Sequence, residues 1–401
     1  MQEKDFGRAK AILAVGVVMF AIGQSLLFVV VAPLARDVGL SEVQFGWAFT
    51  LGNLGLVIGS TVWGTKSDAI GRKPVFVLGL IGATFGILLM ALTLKAGQVG
   101  LIAGWTVFGL LALARFIYGG LASAIYPVAT AYMADVTPPR DRAAGMALIG
   151  ASNGVGSVLG PALGGSLAFL GALFPLYAAV VMSALGCLWA ALFLREPAKH
   201  AEQQTVDLKF TDPRIVPYLI IWACFFMVFI SLQFITAFYI QDRFGVADTD
   251  ATIRIASVAL VTMAAVIVVL QGFVFQVIRI SPRIALRLCP PSFALGAGML
   301  AFAPSPTLLV IGYGMIGCSF AFASPGISGS ASLSVAPHEQ GTMAGYTAAA
   351  GTGGALFAPV FGTSIYQIAP NAPMLLGMGV FIVLSVYALT IKVPDPVHLG
   401  V

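Results

Sequence analysis

The chain has 401 residues, with a mean hydropathy of +0.97, 59% hydrophobic residues and only 9% charged ones, against roughly 25% charged in soluble domains. This excludes a soluble globular protein and a disordered one, and leaves a chain that lives in the lipid bilayer. The formal charge of +5 is concentrated in particular loops, so it is read as a topological signal, and no nucleic-acid partner is expected.

Twelve apolar segments follow one another, at 11–35, 43–63, 74–94, 100–133, 143–168, 172–194, 215–241, 252–278, 284–303, 306–334, 342–368 and 372–391. Each is predicted to be a membrane-crossing helix, since a span needs about 20 apolar residues. The first segment is too long for the apolar core of a signal peptide and no A-x-A pattern follows it, so it is expected to be retained. With an even number of crossings, sixteen Lys and Arg residues fall on the side of the termini and four (Arg36, Lys95, Arg243 and Arg254) on the other. The positive-inside rule then places both termini in the cytoplasm, with the chain in the inner (plasma) membrane.

Between the second and third segments lies Gly64-Thr-Lys-Ser-Asp68-Ala-Ile-Gly71-Arg72-Lys73-Pro. Gly71 permits a tight turn there, and Asp68 and Arg72 are spaced to pair. The fourth segment carries Arg115-Phe-Ile-Tyr-Gly119, and Arg115 is the one formal charge deep in an apolar segment. A guanidinium at the centre of a span costs roughly 2.5–3.5 kcal/mol, so it is expected to face the bundle interior or water. Its alternatives are contact with a polar or anionic substrate, tuning of a proton relay, or pairing with carbonyls or with the amides Gln24, Asn53 and Asn153.

The fifth segment contains G-A-S-N-G-V-G-S-V-L-G-P-A-L-G-G over 150–165. On a helix Gly156, Gly160 and Gly164 form one smooth face against which another backbone can pack, and Pro161 beside them is expected to bend the helix. Pro127, Pro139 and Pro161 recur as Pro325, Pro337 and Pro359, each pair 198 residues apart, so six spans are followed by six related spans of the same orientation. The polar stretch Arg195–Pro213 lies between them. The predicted organisation is a six-helix bundle over 1–194, a cytoplasmic linker over 195–213, and a second bundle over 214–401.

These motifs together resemble the major facilitator superfamily. The loop at 64–73 is similar to its G-x-L-x-D-x-x-G-R-[KR] signature, with Lys66 where an apolar residue is usual, and Arg115-x-x-x-Gly119 is similar to its intramembrane R-x-x-x-G. The run ending Gly160-Pro161-Ala-Leu-Gly164-Gly165 resembles a pattern found in exporters that exchange drugs or metabolites for protons. The resemblance implies an all-α membrane fold of 12 helices in two pseudo-symmetric bundles and secondary transport by alternating access. Gly64, Asp68, Gly71, Arg72 and Lys73, together with Gly156, Gly160, Pro161, Gly164 and Gly165, are then gating residues. It further implies a small-molecule substrate, protons as the coupled ion, no enzymatic activity, no cofactor, no bound metal and a monomer in the lipid bilayer.

Against proton coupling, none of the sixteen acidic residues lies near the centre of a span, and Gln24 occupies the middle of the first. Export of an amphipathic compound therefore stands beside import or facilitated passage of an anionic or neutral metabolite, which Arg115 favours. The expected cavity wall has Phe20, Gln24 and Phe28 on one helical face and Phe225, Phe229 and Gln233 on another, so Gln24, Asn53, Arg115, Asn153, Phe229 and Gln233 are the candidate substrate contacts. Gly150-x-Ser152-x-Gly154 matches a hydrolase elbow but lies in a predicted helix with no membrane histidine. No Walker loop occurs, and the single cysteines 187, 224, 289 and 318 form no C-x-x-C, so neither ATP nor zinc is implied.

Overall fold

A computed structural model describes residues 3–137, 142–197, 208–278, 280–336 and 339–391. In chain order its helices are α1 (Glu3–Asp37), α2 (Glu42–Ile70), α3 (Arg72–Gln98), α4 (Trp105–Ala122), α5 (Ile125–Val136), α6 (Arg142–Leu167), α7 (Phe174–Phe193), α8 (Val216–Phe244) and α9 (Thr249–Val269). They continue as α10 (Phe275–Val277), α11 (Pro282–Ala301), α12 (Pro306–Ala323), α13 (Gly329–Leu333), α14 (Gln340–Leu356), α15 (Ala358–Tyr366) and α16 (Ala372–Thr390). Eleven stretches of the described residues are long and apolar enough to cross a membrane, and α6, at 26 residues, has the length of a twelfth. The described chain divides into two compact units, Met1–Glu202 with Val246–Ser257, and Gln203–Gly245 with Val258–Val401.

Local chemistry sets the ends of these helices. Ser41 opens α2 with a reciprocal cap: its hydroxyl accepts the Gln44 amide at 3.2 Å, and the Gln44 side chain accepts the Ser41 amide at 3.0 Å. Gly71, at φ +116, separates α2 from α3 without a loop, a conformation that disfavours any side chain. The segment expected at 100–133 starts later, at Trp105, because Gly100 and Gly104 take positive φ in the preceding turn.

Pro127 follows an interruption of its helix, and Pro325 lies within one of a different kind. The first copy breaks at Ser123–Ala124 and restarts as α5, whereas the second runs from α12 through a π turn, Ser324–Ser328, into α13. Pro161 lies within an unbroken α6, yet its counterpart Pro359 follows a break at Phe357 that separates α14 from α15. Pro139, Pro337, Arg140, Asp141, Lys199, His200, Glu202, Asp207, Arg279, His338, Lys392, Asp395 and His398 lie outside the described residues.

Within the first unit, small residues bring backbones together. A Cβ on Gly156 would come 2.8 Å from the Val18 carbonyl oxygen of α1, and one on Gly160 would come 2.6 Å from that of Ile22. Ser25 of α1 uses this closeness, donating to the Gly156 carbonyl at 3.0 Å and to its own Ala21 carbonyl at 2.8 Å. Between α2 and α4 a second glycine face operates: a Cβ on Gly52 would sit 2.9 Å from the Arg115 carbonyl oxygen, and one on Gly55 would sit 2.7 Å from that of Phe116. The second unit repeats the α1–α6 device one helical turn further on. Ser231 of α8 donates to the Ala358 carbonyl at 2.8 Å, and Gly362 of α15 faces it, where a Cβ would be 2.8 Å from the Ser231 Cβ.

Candidate functional site

The loop motif closes around Arg72 at the start of α3. Its Nη2 lies 2.6 Å from Asp68 Oδ1, its Nη1 donates to Ser67 Oγ at 2.6 Å, and its Nε donates to Asp135 Oδ2 at 3.2 Å. The expected Asp68–Arg72 pair is present, and Asp135 of α5 completes it. Two backbone amides of the first turn of α3, which have no helical acceptor, are taken by a carboxylate from the far end of the unit. Glu196 accepts from the Arg72 amide at 2.5 Å and from the Lys73 amide at 2.9 Å. A Cβ on Gly71 would meet that carboxylate at 2.9 Å, so both φ and space require glycine here. Tyr132 of α5 donates to the Arg195 carbonyl at 2.6 Å, which fixes the chain just before Glu196. Gly64 faces open space and supports no close approach.

Deeper in the same unit Arg115 of α4 is buried, with 6% of its surface exposed. Its guanidinium carbon stands 4.0 Å from the centre of the Phe49 ring of α2 and 5.0 Å from that of Tyr118. Such contacts contribute on the order of 0.5–2 kcal/mol each, a partial offset to the cost of burying the charge. Among the described residues, Arg115 Nε and Nη1 and the Tyr118 hydroxyl have no hydrogen-bond partner. Phe20 of α1 stacks on Tyr118 at 6.2 Å and meets Tyr126 of α5 edge-on at 5.5 Å, and the Tyr126 hydroxyl donates to Asn153 Oδ1 of α6. The Asn153 side chain is therefore engaged by Tyr126. Gln24 is half-buried on α1, one turn from Phe20, and Asn53 is half-buried on α2, next to Gly52. The arrangement holds two buried, unpartnered cationic N–H groups beside flat aromatic faces, which would suit an acceptor such as a carboxylate or carbonyl if a change of conformation uncovered them.

Of the span 5 glycines, Gly156 and Gly160 abut α1 as described, Gly164 has looser surroundings, and Gly165 faces Ser257 of the same unit, where a Cβ would be 2.5 Å from the Ser257 Cβ. Ser152, at the hydrolase-like motif, is buried on α6 and donates to the Leu148 carbonyl at 2.8 Å.

In the second unit Phe229 is buried in an aromatic cluster, 5.6 Å from Phe225 and 5.0 Å from Phe320. Phe225, fully buried, also meets Phe293 and Phe381, which stack on each other at 3.8 Å, so it is packing core and departs from the expected cavity wall. Gln233 is buried and turns its amide to the Phe229 carbonyl of its own helix at 3.5 Å. Outside the membrane, Arg214 reaches Asp212 at 2.8 Å and Glu339 at 3.1 Å. The Arg214 side-chain hydrogen bond holds the Asp212 carboxyl below the usual carboxylate range.

Sequence reasoning missed Phe49, Tyr118 and Tyr126 around Arg115, and the role of Glu196. Tyr118 carried a signal, since it stands one turn beyond Arg115 within the quoted motif. Glu196 carried none, because nothing in the polar stretch distinguished it from its neighbours.

The family model of the Major Facilitator Superfamily matches residues 13–359, and the chain belongs to that family. It is 28% identical over 371 residues to tetracycline resistance protein, class C, of Escherichia coli, covering 87% of each chain. It is 24% identical over 389 residues to multidrug resistance protein 1 of Bacillus subtilis (strain 168), covering 94% of each. Among solved structures, a bacterial homolog to the human lysosomal transporter Spinster superposes with a TM-score of 0.71 at 16% identity, covering 97% of both chains. The protein is a multi-pass membrane transporter of the major facilitator fold, and it is not an enzyme.

Proposed function

We propose that this transporter exports a small amphipathic drug or metabolite in exchange for protons, by alternating access, as a monomer in the inner membrane with both termini cytoplasmic. The observation that carries the reading is the span 5 seam, where Gly156 and Gly160 abut the α1 backbone in a run that resembles the exporter pattern; the Arg115 guanidinium, buried against Phe49 and Tyr118 with Nε and Nη1 unpartnered, is the candidate substrate contact. Resistance proteins for tetracycline and for multiple drugs among the relatives support the direction of transport and the substrate class. In the first unit Arg115 binds the substrate's acceptor groups, with Gln24, Asn53 and Asn153 as polar contacts; in the second, Phe229 and Gln233 supply apolar and amide contacts. Asp68, Gly71, Arg72 and Lys73 act as a cytoplasmic gate, and Gly156, Gly160, Pro161, Gly164 and Gly165 as a leak-tight, flexing seam. Two bundles, 1–194 and 214–401, joined by a linker over 195–213, form the moving parts.

A second reading, import or facilitated passage of an anionic or neutral metabolite, is favoured by the buried, unpartnered guanidinium of Arg115 and by the lack of a mid-span carboxylate. Purified protein in proteoliposomes with an imposed pH gradient separates the two. Export predicts substrate movement against its own gradient, driven by the proton gradient and collapsed by a protonophore. Movement that follows only the substrate gradient, for organic anions above all, overturns export in favour of the second reading.

A further inference from the structure

Spans 2 and 8 end on related sequences: Trp63-Gly64 and Pro74 recur as Gln271-Gly272 and Pro282, each 208 residues further on. Trp63 lies within α2, whereas Gln271 lies in a π turn, Leu270–Val274, that follows α9. In both units this side chain reaches the neighbouring span that is interrupted near a proline. That is span 4 (α4 and α5) in the first unit and span 10 (α12 through α13) in the second.

What each one meets is a carbonyl that has lost its helical donor. At the end of α4 the Ala124 amide donates to the Leu121 carbonyl at 3.2 Å, away from the Gly120 carbonyl that an α-helix would give it. Trp63 Nε1 donates to that Gly120 carbonyl at 2.7 Å, and the Ser123 hydroxyl shares it at 2.9 Å. Gly59, one turn before Trp63, lets α2 come this close, since a Cβ there would collide with the Gly120 carbonyl and the Ser123 hydroxyl. In the second unit the α-helical donor to the Ala321 carbonyl would be residue 325, a proline with no N–H. Gln271 Nε2 donates to that carbonyl at 3.3 Å. Ala321 is buried and Gly120 half-buried. In hydrocarbon a freed carbonyl has no water to turn to, so a donor from the next helix must satisfy it. An indole and an amide meet the same need from corresponding positions.

We propose that Trp63 and Gln271 are matching hinge clamps, positioning residues that pin the interruption of span 4 to span 2 and that of span 10 to span 8. Each leaves its partner span free to bend at one place while holding that place at a fixed height on the neighbouring helix. In the first unit the clamped carbonyl stands little more than a turn beyond Arg115, so the clamp also holds the register in which the guanidinium lies on Phe49 of α2. The inference is independent of the direction and substrate of transport.

Hydrogen exchange of the full-length protein in lipid nanodiscs tests it, because the readout needs no substrate. Trp63→Phe keeps a ring but loses the N–H, and Gln271→Leu keeps most of the bulk but loses the amide. Exchange should quicken by about threefold at 120–128 in the first variant and at 321–330 in the second, the factor that one hydrogen bond in a membrane is worth. Trp63→Gln gives up the bulk but supplies the donor that the second unit uses. It should restore the protection that Trp63→Phe lacks, whereas a packing role predicts the reverse order. On the unmodified protein, isotope-labelled in its tryptophans, the Trp63 indole proton should exchange more slowly than that of Trp105, which is 74% exposed. Unchanged protection in both donor-free variants, better protection in Trp63→Phe than in Trp63→Gln, quickening spread along whole helices, or equal indole exchange at Trp63 and Trp105 would each overturn the proposal.

Discussion

The α1–α6 seam makes a differential prediction within one run of glycines. A Cβ at position 160 would lie 2.6 Å from the Ile22 carbonyl oxygen and 2.9 Å from the Leu26 amide nitrogen, both on the rigid backbone of α1. Neither atom can swing aside, so Gly160→Ala forces the helices apart. Overpacking of this kind costs about 1–3 kcal/mol, while replacing a helical glycine by alanine returns about 1 kcal/mol. Separation also strains the Ser25 hydrogen bond to Gly156, and such bonds contribute about 0.6 kcal/mol in membranes. The net expectation is destabilisation by about 1–2 kcal/mol. At position 164, one turn on, the nearest atom is Val30 Cγ2 at 3.5 Å, an ordinary contact. Gly164→Ala should therefore be neutral or stabilising by up to about 1 kcal/mol. Thermal scans of both variants in one detergent, read by loss of the monodisperse peak, should show Tm moving in opposite directions, by about 2–4 °C per kcal/mol. Equal Tm shifts for the two variants would refute the seam as the reason for the glycines.

Asp68→Asn removes one partner of Arg72 but leaves Asp135 and Ser67, and Asp68 is largely exposed, so stability should change by no more than about 1 kcal/mol. Flux in proteoliposomes should nevertheless fall at normal expression; unchanged flux would remove the loop from the gate. Glu196→Gln weakens the cap on α3 and should cost about 1 kcal/mol, with faster amide exchange at Arg72 and Lys73 as the local readout. Arg115→Lys keeps the charge but loses the planar fork, and should weaken binding of carboxylate-bearing or carbonyl-rich substrates more than of neutral apolar ones. Arg115→Ala should abolish that binding, and a fully active alanine variant would end both the ligand and the relay role. Because Arg214 depresses the Asp212 carboxyl, the pair's contribution is present at neutral pH and is lost as pH falls through the depressed value. The Tm difference between wild type and Asp212→Asn should accordingly hold at neutral pH and vanish on acidification.

Much of the architecture was legible because it rests on patterns with a single physical meaning. Hydropathy marked the spans, and the Gly–Asp–Gly–Arg spacing gave the turn at Gly71 and the Asp68–Arg72 pair. The fourfold glycine period gave the face that meets α1. The surroundings of Arg115 were less accessible. Phe49 and Tyr126 reach it and its neighbours through packing across three helices, and no spacing rule links residues so far apart in sequence. The same holds for Gly52 and Gly55, whose value depends on α4 crossing at that height. Phe225 illustrates the opposite failure: its spacing to Phe229 placed both on one face, but whether that face meets a cavity or other phenylalanines is decided by α11 and α16.

The two copies of the proline pattern put their joints in different places. In the first, α6 passes Pro161 as one rod, and the interruption falls only before Pro127. In the second, both corresponding places are loosened, by a π turn at Pro325 and by a break before Pro359. A rod and a jointed pair of rods respond differently to the same push, since bending the rod disturbs its whole ladder of hydrogen bonds while the joint concentrates compliance in one peptide unit. Corresponding places in the two units thus differ in backbone continuity, with α6 continuous through Pro161 and the chain broken before Pro359. Pro359→Ala, which restores a backbone donor just after the break, is the change that tests what the interruption contributes.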